Sequence, residues 1–211
     1  MTTVFTSPLV RLAVLYLRSR LLGTALAVVG VSAFVGWYLL DQSRDVGVTR
    51  LLLTLGSVGA ATAVGISARS PFGETERITS FRLWSLRLGH MAGLLVVAAL
   101  ALGLANRVET EPWTDWVLIR NLAGYAGFAL LTARLAGASI SWLLPTIYAM
   151  AAFVTLGGVE VADFSDRQRH WGWPMMPGDD RFSAWLAGGM LGLGLFLIVA
   201  GGGRDRVEEN S

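Results

Sequence analysis

The apolar segment LLLTLGSVGAATAVGISA, from Leu51 to Ala68, runs directly into RSPFGETERITSFRLWSLR, from Arg69 to Arg87, and this junction indicates the fold class. The first segment has 18 residues and no charge, close to the roughly 20 apolar residues that cross about 30 Å of hydrocarbon. The second, the arginine-rich loop, holds four arginines and two glutamates. Because charged side chains in a membrane protein are stable where they face water, we expect a membrane span followed by a loop outside the bilayer.

The rest of the chain repeats the apolar pattern. Of its 211 residues, 54% are hydrophobic and 15% are charged, and its mean hydropathy is +0.56, which excludes an ordinary soluble fold. The first apolar segment is expected to be a span and not a cleavable signal peptide, because no small-residue cleavage site precedes Asp41. We predict an all-α integral membrane protein with six transmembrane helices, at Leu21–Leu40, Leu51–Ala68, Leu88–Ala105, Trp116–Ala133, Leu135–Gly158 and Phe182–Gly202.

Arginine placement predicts the orientation of these spans. Ten of the seventeen arginines fall on the side that holds both termini and the arginine-rich loop, where the net charge is +5, against −3 on the other side. By the positive-inside tendency both termini are cytoplasmic, and residues 203–211 form a cytoplasmic tail. A sequence pI near 9.5 would suggest nucleic acid in a soluble chain, but here the arginines follow topology.

Residues 1–20 precede the first span and are predicted to form an interfacial or cytoplasmic helix. In the stretch Pro8–Arg20, Arg11 and Arg18 are seven residues apart on one helical face, and apolar residues cover much of the rest. An equally weighted alternative is that this stretch extends the first span into water, with its arginines snorkelling.

The arginine-rich loop carries the signals of two short helices. Ser70 and Pro71 resemble an N-cap and first helical residue, Glu74 lies near the positive end of the helix dipole, and a second helical stretch continues from Thr79 into the third span. Short helices in such a loop are surfaces that a soluble motor domain can push against. The alternative is a solvated turn that only sets the topology of the spans and binds anionic lipid. The candidate partner-binding residues are Arg69, Pro71, Glu74, Glu76, Arg77, Arg82 and Arg87.

The predicted spans lack Asp, Glu, Lys and His near their centres, which disfavours ion-coupled transport and intramembrane catalysis. Arg120 is the partial exception, because only about 21 Å of helix separates it from Arg134. We expect Arg120 to snorkel outward or to pair with Asp115, in preference to contacting an anionic substrate. His90 is taken as an interface histidine.

Two further features mark a possible pathway or gate. Pro145 is placed in the middle of the fifth span, where it would kink the helix. The longest outer loop, 159–181, contains the sequence HWGWPMMP, with Trp171 and Trp173, and is interpreted as a partly embedded outer cap. One histidine and irregularly spaced acids make a metal site there improbable, and the chain has no cysteine. The gate candidates are Arg120, Pro145, Trp171 and Trp173.

The chain thus consists of an N-terminal helix, six spans, the arginine-rich loop after the second span and the outer loop between the fifth and sixth. This layout resembles that of the permease subunits of ABC-2-type transporters. The run RSPFGETER at 69–77 is also similar to the inner loop of small actinobacterial membrane proteins regarded as ABC transporter permeases. The resemblance implies that residues 69–87 form a coupling helix against an ABC-type ATPase subunit, that residues 159–181 form an extracellular gate, and that a second permease subunit completes a homodimer or heterodimer.

The resemblance also implies a non-enzymatic subunit of the bacterial plasma membrane. ATP and Mg²⁺ would bind to the partner ATPase, and the chain itself has no GxxxxGK[ST] loop and no lysine to complete one. Its uncharged spans favour export of an amphipathic or apolar molecule. Membrane lipid is the other expected partner, and nucleic acid is not one. A non-transporting scaffold that anchors a cytoplasmic protein is the alternative function.

Overall fold

A computed structural model of the protein describes residues 22–42, 46–69, 82–106, 113–157 and 163–201. These ranges contain α-helices, two short 3₁₀ turns at Ala138–Ile140 and Trp173–Met175, and no strand. The predicted N-terminal helix, the cytoplasmic tail and the first helix of the arginine-rich loop lie outside the described residues. The helices are α1 Leu22–Gln42, α2 Val46–Ser67, α3 Arg82–Ala105, α4 Trp113–Leu135, α5 Leu143–Leu156, α6 Asp166–Trp171 and α7 Arg181–Gly201.

Within the described ranges, six helical segments are long and apolar enough to cross a membrane, which confirms the prediction of an all-helical chain with six candidate spans. Each corresponds to one predicted span, with ends that differ by a few residues. The segments are Leu22–Leu39, Val48–Ser67, Ser85–Ala105, Trp116–Leu135, Ala138–Leu156 and Arg181–Ala200.

The fifth span differs from its prediction at Pro145. The chain turns at Gly137, which has a positive φ of 110°, passes through the 3₁₀ turn and starts α5 at Leu143. Pro145 therefore lies in the first turn of α5, where its missing N–H removes no intrahelical hydrogen bond. The expected mid-helix kink at Pro145 is wrong, since this proline helps to begin the helix.

Helices α2 and α4 form the centre of the bundle. In the apolar windows of these two helices, 61% and 67% of residues are buried, compared with 11% in α1 and 28% in α3, the fifth span and α7. Helix α4 packs on α7, α2 and α5, while α1 lies against α2 and α3. The exposed apolar side chains of the peripheral helices have the character of a lipid-facing surface, and they include Val31, Phe34, Leu100, Leu104, Val154 and Phe196.

Glycine allows a close contact between α4 and α7 in this core. A methyl group at Gly127 of α4 would lie 2.5 Å from the carbonyl carbon of Met190 in α7. Since that neighbour is main chain, the two helices approach at this level only because Gly127 has no side chain. The sequence shows that residue 127 is small, and the structure adds that α7 is the helix that packs against it.

Candidate functional site

Residues 163–180, here called the cap segment, connect α5 to α7 and fold compactly against one end of the bundle. Helix α6 starts with a capping box in which Ser165 and Gln168 satisfy each other's backbone amides. The chain then turns at Gly172 into the 3₁₀ turn, which carries Pro174 in its first turn. This local order places the WPMMP sequence, residues 173–177, against α4 and α5.

Trp173 is the deepest residue of the cap segment, with no exposed surface. Its ring centroid lies 5.5 Å from that of Tyr125 in α4 and 6.2 Å from that of Tyr148 in α5. Next to it, Met175 and Met176 pack in an apolar cluster with Ala152 and other α5 residues. These contacts bring residues 173–176 of the cap segment inside the bundle. The interpretation of this loop as an outer cap partly embedded in the membrane stays a prediction.

Gly124 makes room for the Trp173 ring. A methyl group at Gly124 would lie 2.2 Å from Cη2 of Trp173, closer than two carbon atoms can approach. The notch at Gly124 and the flanking tyrosine rings form a pocket that an indole fills.

Arg120, one helical turn before Gly124, binds the cap segment through main-chain oxygens. Its Nη1 donates to the carbonyl of Pro177 at 2.7 Å, and its Nη2 donates to the carbonyls of Met176 at 2.8 Å and Pro174 at 3.3 Å. The side chain is 5% exposed. A buried guanidinium needs acceptors for its donors, and here peptide carbonyls supply them.

Two more side chains extend this polar contact. Asn121 donates from Nδ2 to the Pro174 carbonyl at 3.0 Å, and its Oδ1 accepts from Nε and Nη2 of Arg120 at 3.3 Å each. The Tyr148 hydroxyl donates to the carbonyl of Trp171. The direct acceptors of Arg120 are therefore neutral oxygens.

The start of α7 is fixed by a carboxylate at the edge of the cap segment. Asp180 accepts from the backbone N of Ser183 at 2.8 Å and from the Ser183 hydroxyl, an N-cap arrangement. Its negative charge also attracts Arg120 electrostatically. The hydrogen bonds of Arg120 thus go to the cap backbone, whereas those of Asp180 go to the start of α7.

Two buried donors of the site have no hydrogen-bond partner among the described residues. They are the hydroxyl of Tyr125 in α4 and the indole Nε1 of Trp173 in the cap segment. Buried donors without a partner are uncommon, since each one forfeits the hydrogen bonds it makes in water. On the side of the helices, the Tyr125 hydroxyl has capacity for one more acceptor.

The structure brings together three of the four gate candidates. Arg120, Trp171 and Trp173 meet at the cap, whereas Pro145 takes no part in these ring contacts and hydrogen bonds. Outward snorkelling of Arg120 is wrong, because the cap segment covers this side chain and supplies its acceptors. Asp115, the other expected partner, has no described side chain.

Sequence reasoning missed Asn121, Gly124, Tyr125 and Tyr148. A signal for three of them was present, because positions 120, 121, 124 and 125 share one face of a helix. An arginine followed by an amide on an apolar helix, with a glycine one turn later, indicates a polar contact beside a close approach. Tyr148 lies in an apolar run and carries no comparable signal.

The arginine-rich loop is described only at its edges. Arg69 is exposed just after α2, the backbone of Arg82 begins α3, and Arg87 is buried at 8% exposure. The described part of α3 thus carries helical structure from Arg82 into the third span, as expected. Four candidate residues lie outside the described residues, namely Pro71, Glu74, Glu76 and Arg77.

In the described ranges no three His, Cys, Asp or Glu side chains come together as metal ligands. Comparison of the chain with protein-family models, with curated proteins and with solved structures finds no match.

Proposed function

We propose that this chain is the membrane-spanning permease subunit of an ABC-2-type transporter in the bacterial plasma membrane, driven by a separate ATPase subunit. The observation that carries the proposal is the cap segment, which lies between the last two spans and holds Trp173 inside one end of the bundle. A segment in that position forms the extracellular gate in the family that the sequence resembles. We infer that the cap segment is such a gate, held closed by its contacts with α4 and α5.

The residue types found in the spans support an energy source that lies on another subunit. Among the described residues near the middle of the helices there is no Asp, Glu, Lys or His. The buried charge of Arg120 in α4 is engaged by the carbonyls of the cap segment. Ion-coupled transport generally needs a titratable or ion-binding group at mid-membrane, so ATP hydrolysis by a partner fits this chain better.

In the proposed mechanism two permease subunits, identical or related, enclose a pathway, with both termini and the arginine-rich loop in the cytoplasm. Closure of the ATPase subunits pushes on residues 69–87, and the force reaches the bundle through α3, whose helix starts at Arg82. Release to the outside requires the cap segment to leave Arg120 and Asn121. The uncharged spans suit export of an amphipathic or apolar molecule.

Co-purification with the protein encoded by the neighbouring reading frame tests this function. We expect a Walker-type ATPase whose hydrolysis in lipid is stimulated only when this chain is present. Arg77→Ala or Glu74→Ala should abolish the stimulation, whereas Asp179→Ala, an exposed change in the cap segment, should leave it intact.

Two results would contradict the proposal. Co-purification of non-ATPase proteins alone favours a scaffold that anchors a cytoplasmic partner. The chain has no cysteine, so Arg77→Cys creates a single labelling site. Reaction of that site with an impermeant maleimide from outside intact cells would place the arginine-rich loop on the wrong face.

A further inference from the structure

We propose that the cleft now filled by Trp173–Pro177 is a binding site for a peptide or peptide-like molecule that carries an aromatic side chain and successive free carbonyls. The cap segment occupies this site in the closed state, and the incoming molecule displaces it. That this molecule is the transported one rests on the proposed function, whereas binding to the cleft does not.

The polar half of the cleft recognises peptide backbone. Arg120 and Asn121 together contact the carbonyls of Pro174, Met176 and Pro177, and no side-chain oxygen of the cap takes part. Because these contacts involve only main-chain oxygens, any chain that presents carbonyls at the same spacing satisfies them. A lipid acyl chain or a simple hydrocarbon leaves Arg120 with Asn121 Oδ1 but without any carbonyl acceptor, which is costly in a buried site.

The apolar half of the cleft recognises a flat ring. The notch at Gly124 fits the far edge of an indole, and the rings of Tyr125 and Tyr148 flank it at centroid distances of 5.5 and 6.2 Å. Aromatic rings in such tilted or offset contact attract each other beyond the effect of their buried area. The ligand therefore needs an aromatic residue ahead of its carbonyls.

Proline suits a ligand for this cleft. Pro174 and Pro177 supply acceptors to Arg120 and have no N–H that would need its own acceptor among apolar side chains. In addition, the unpartnered Tyr125 hydroxyl offers a donor that the cap segment does not use. A ligand with one more acceptor than the cap segment would bind more tightly than the cap itself.

Because the cap segment is tethered beside its own site, it competes with any free ligand at a high effective concentration. Weakening the cap should therefore increase the fraction of open cleft and raise the apparent affinity for a free peptide. Trp173→Gly removes the cap side chain that fills the ring pocket and leaves every residue of the cleft in place.

The test measures binding of tritiated acetyl-Trp-Pro-Met-Met-Pro-amide to the full chain in lipid nanodiscs, without ATPase. We expect Trp173→Gly to bind the peptide at least about tenfold more tightly than the original chain. A peptide with Gly in place of Trp should not bind. Tyr148→Phe keeps the ring but loses the hydrogen bond to Trp171 that helps to hold the cap segment. It should therefore also raise the affinity for the peptide, by a smaller factor than Trp173→Gly.

A second substitution separates ring recognition from general loosening. Gly124→Ala added to Trp173→Gly fills the notch without a clash in the chain itself, and it should remove peptide binding while the protein stays helical and monodisperse. Failure of the peptide to bind to folded Trp173→Gly or Tyr148→Phe, or equal binding by the Gly124→Ala double variant, would overturn the proposal. Peptide binding together with the absence of any ATPase partner would retain the site and remove the transport function.

Discussion

Helices α1 and α4 are both apolar helices of membrane-spanning length, yet they occupy opposite environments. In their apolar windows 11% of the residues of α1 are buried and 67% of those of α4. Both contain glycines, but a methyl group at Gly23, Gly30 or Gly36 of α1 would meet nothing within 4 Å, whereas one at Gly124 or Gly127 would collide with a ring or a backbone. Apolar composition thus identifies a span, and the neighbours of its small and polar residues show whether it is central.

The largest effect is expected at Arg120, the polar residue by which α4 differs most from α1. Arg120→Met keeps much of the side-chain volume but leaves the carbonyls of Met176 and Pro177 without donors, and should lower the free energy of unfolding by about 3 kcal/mol. Unfolding by SDS in mixed micelles measures this change. Arg167→Met, the same exchange at an exposed position of α6, is the control, and equal losses for the two variants would contradict the buried contact.

A slightly smaller loss is expected for Gly127→Ala. The new methyl group would meet the main chain of Met190, so α4 and α7 would have to separate, which should destabilise the protein by about 2–3 kcal/mol. The same SDS titration reports it. Unchanged stability would mean that the two helices do not touch at this level.

Gly124→Ala is expected to destabilise the protein less, by about 1–2 kcal/mol. Its new methyl group meets the side chain of Trp173, and the cap segment that carries this side chain can move away. The Trp173→Gly background should abolish this loss. A double-mutant cycle measures the coupling between the two positions. Additive effects would show that the indole does not fill the notch.

The smallest effect belongs to α1. Gly30→Ala adds a methyl group in open space and should change the free energy of unfolding by no more than about 0.5 kcal/mol. A loss comparable to that of Gly127→Ala would show that α1 is covered by a partner in the preparation studied.

The number of spans could be predicted from sequence, because each bilayer crossing requires a long apolar run whatever the run contacts. The central position of α4 could not, since it depends on α2 and α7 packing around it. Pro145 was misplaced because an apolar run of 24 residues hides the turn at Gly137, whose signal is a single glycine. Arg120 and Trp173 were both singled out, but more than fifty residues separate them, and nothing in that spacing predicts that Arg120 binds the carbonyls that follow Trp173.

Cysteine labelling at position 175 tests the central claim, that Arg120 holds the cap segment inside the bundle. In nanodiscs, where both membrane faces are accessible, Met175→Cys should resist an impermeant maleimide, since Met175 is 5% exposed, and Asp179→Cys should react readily. Adding Arg120→Met should make the cysteine at 175 reactive. Reaction at position 175 as fast as at position 179 in the presence of Arg120 would contradict the account.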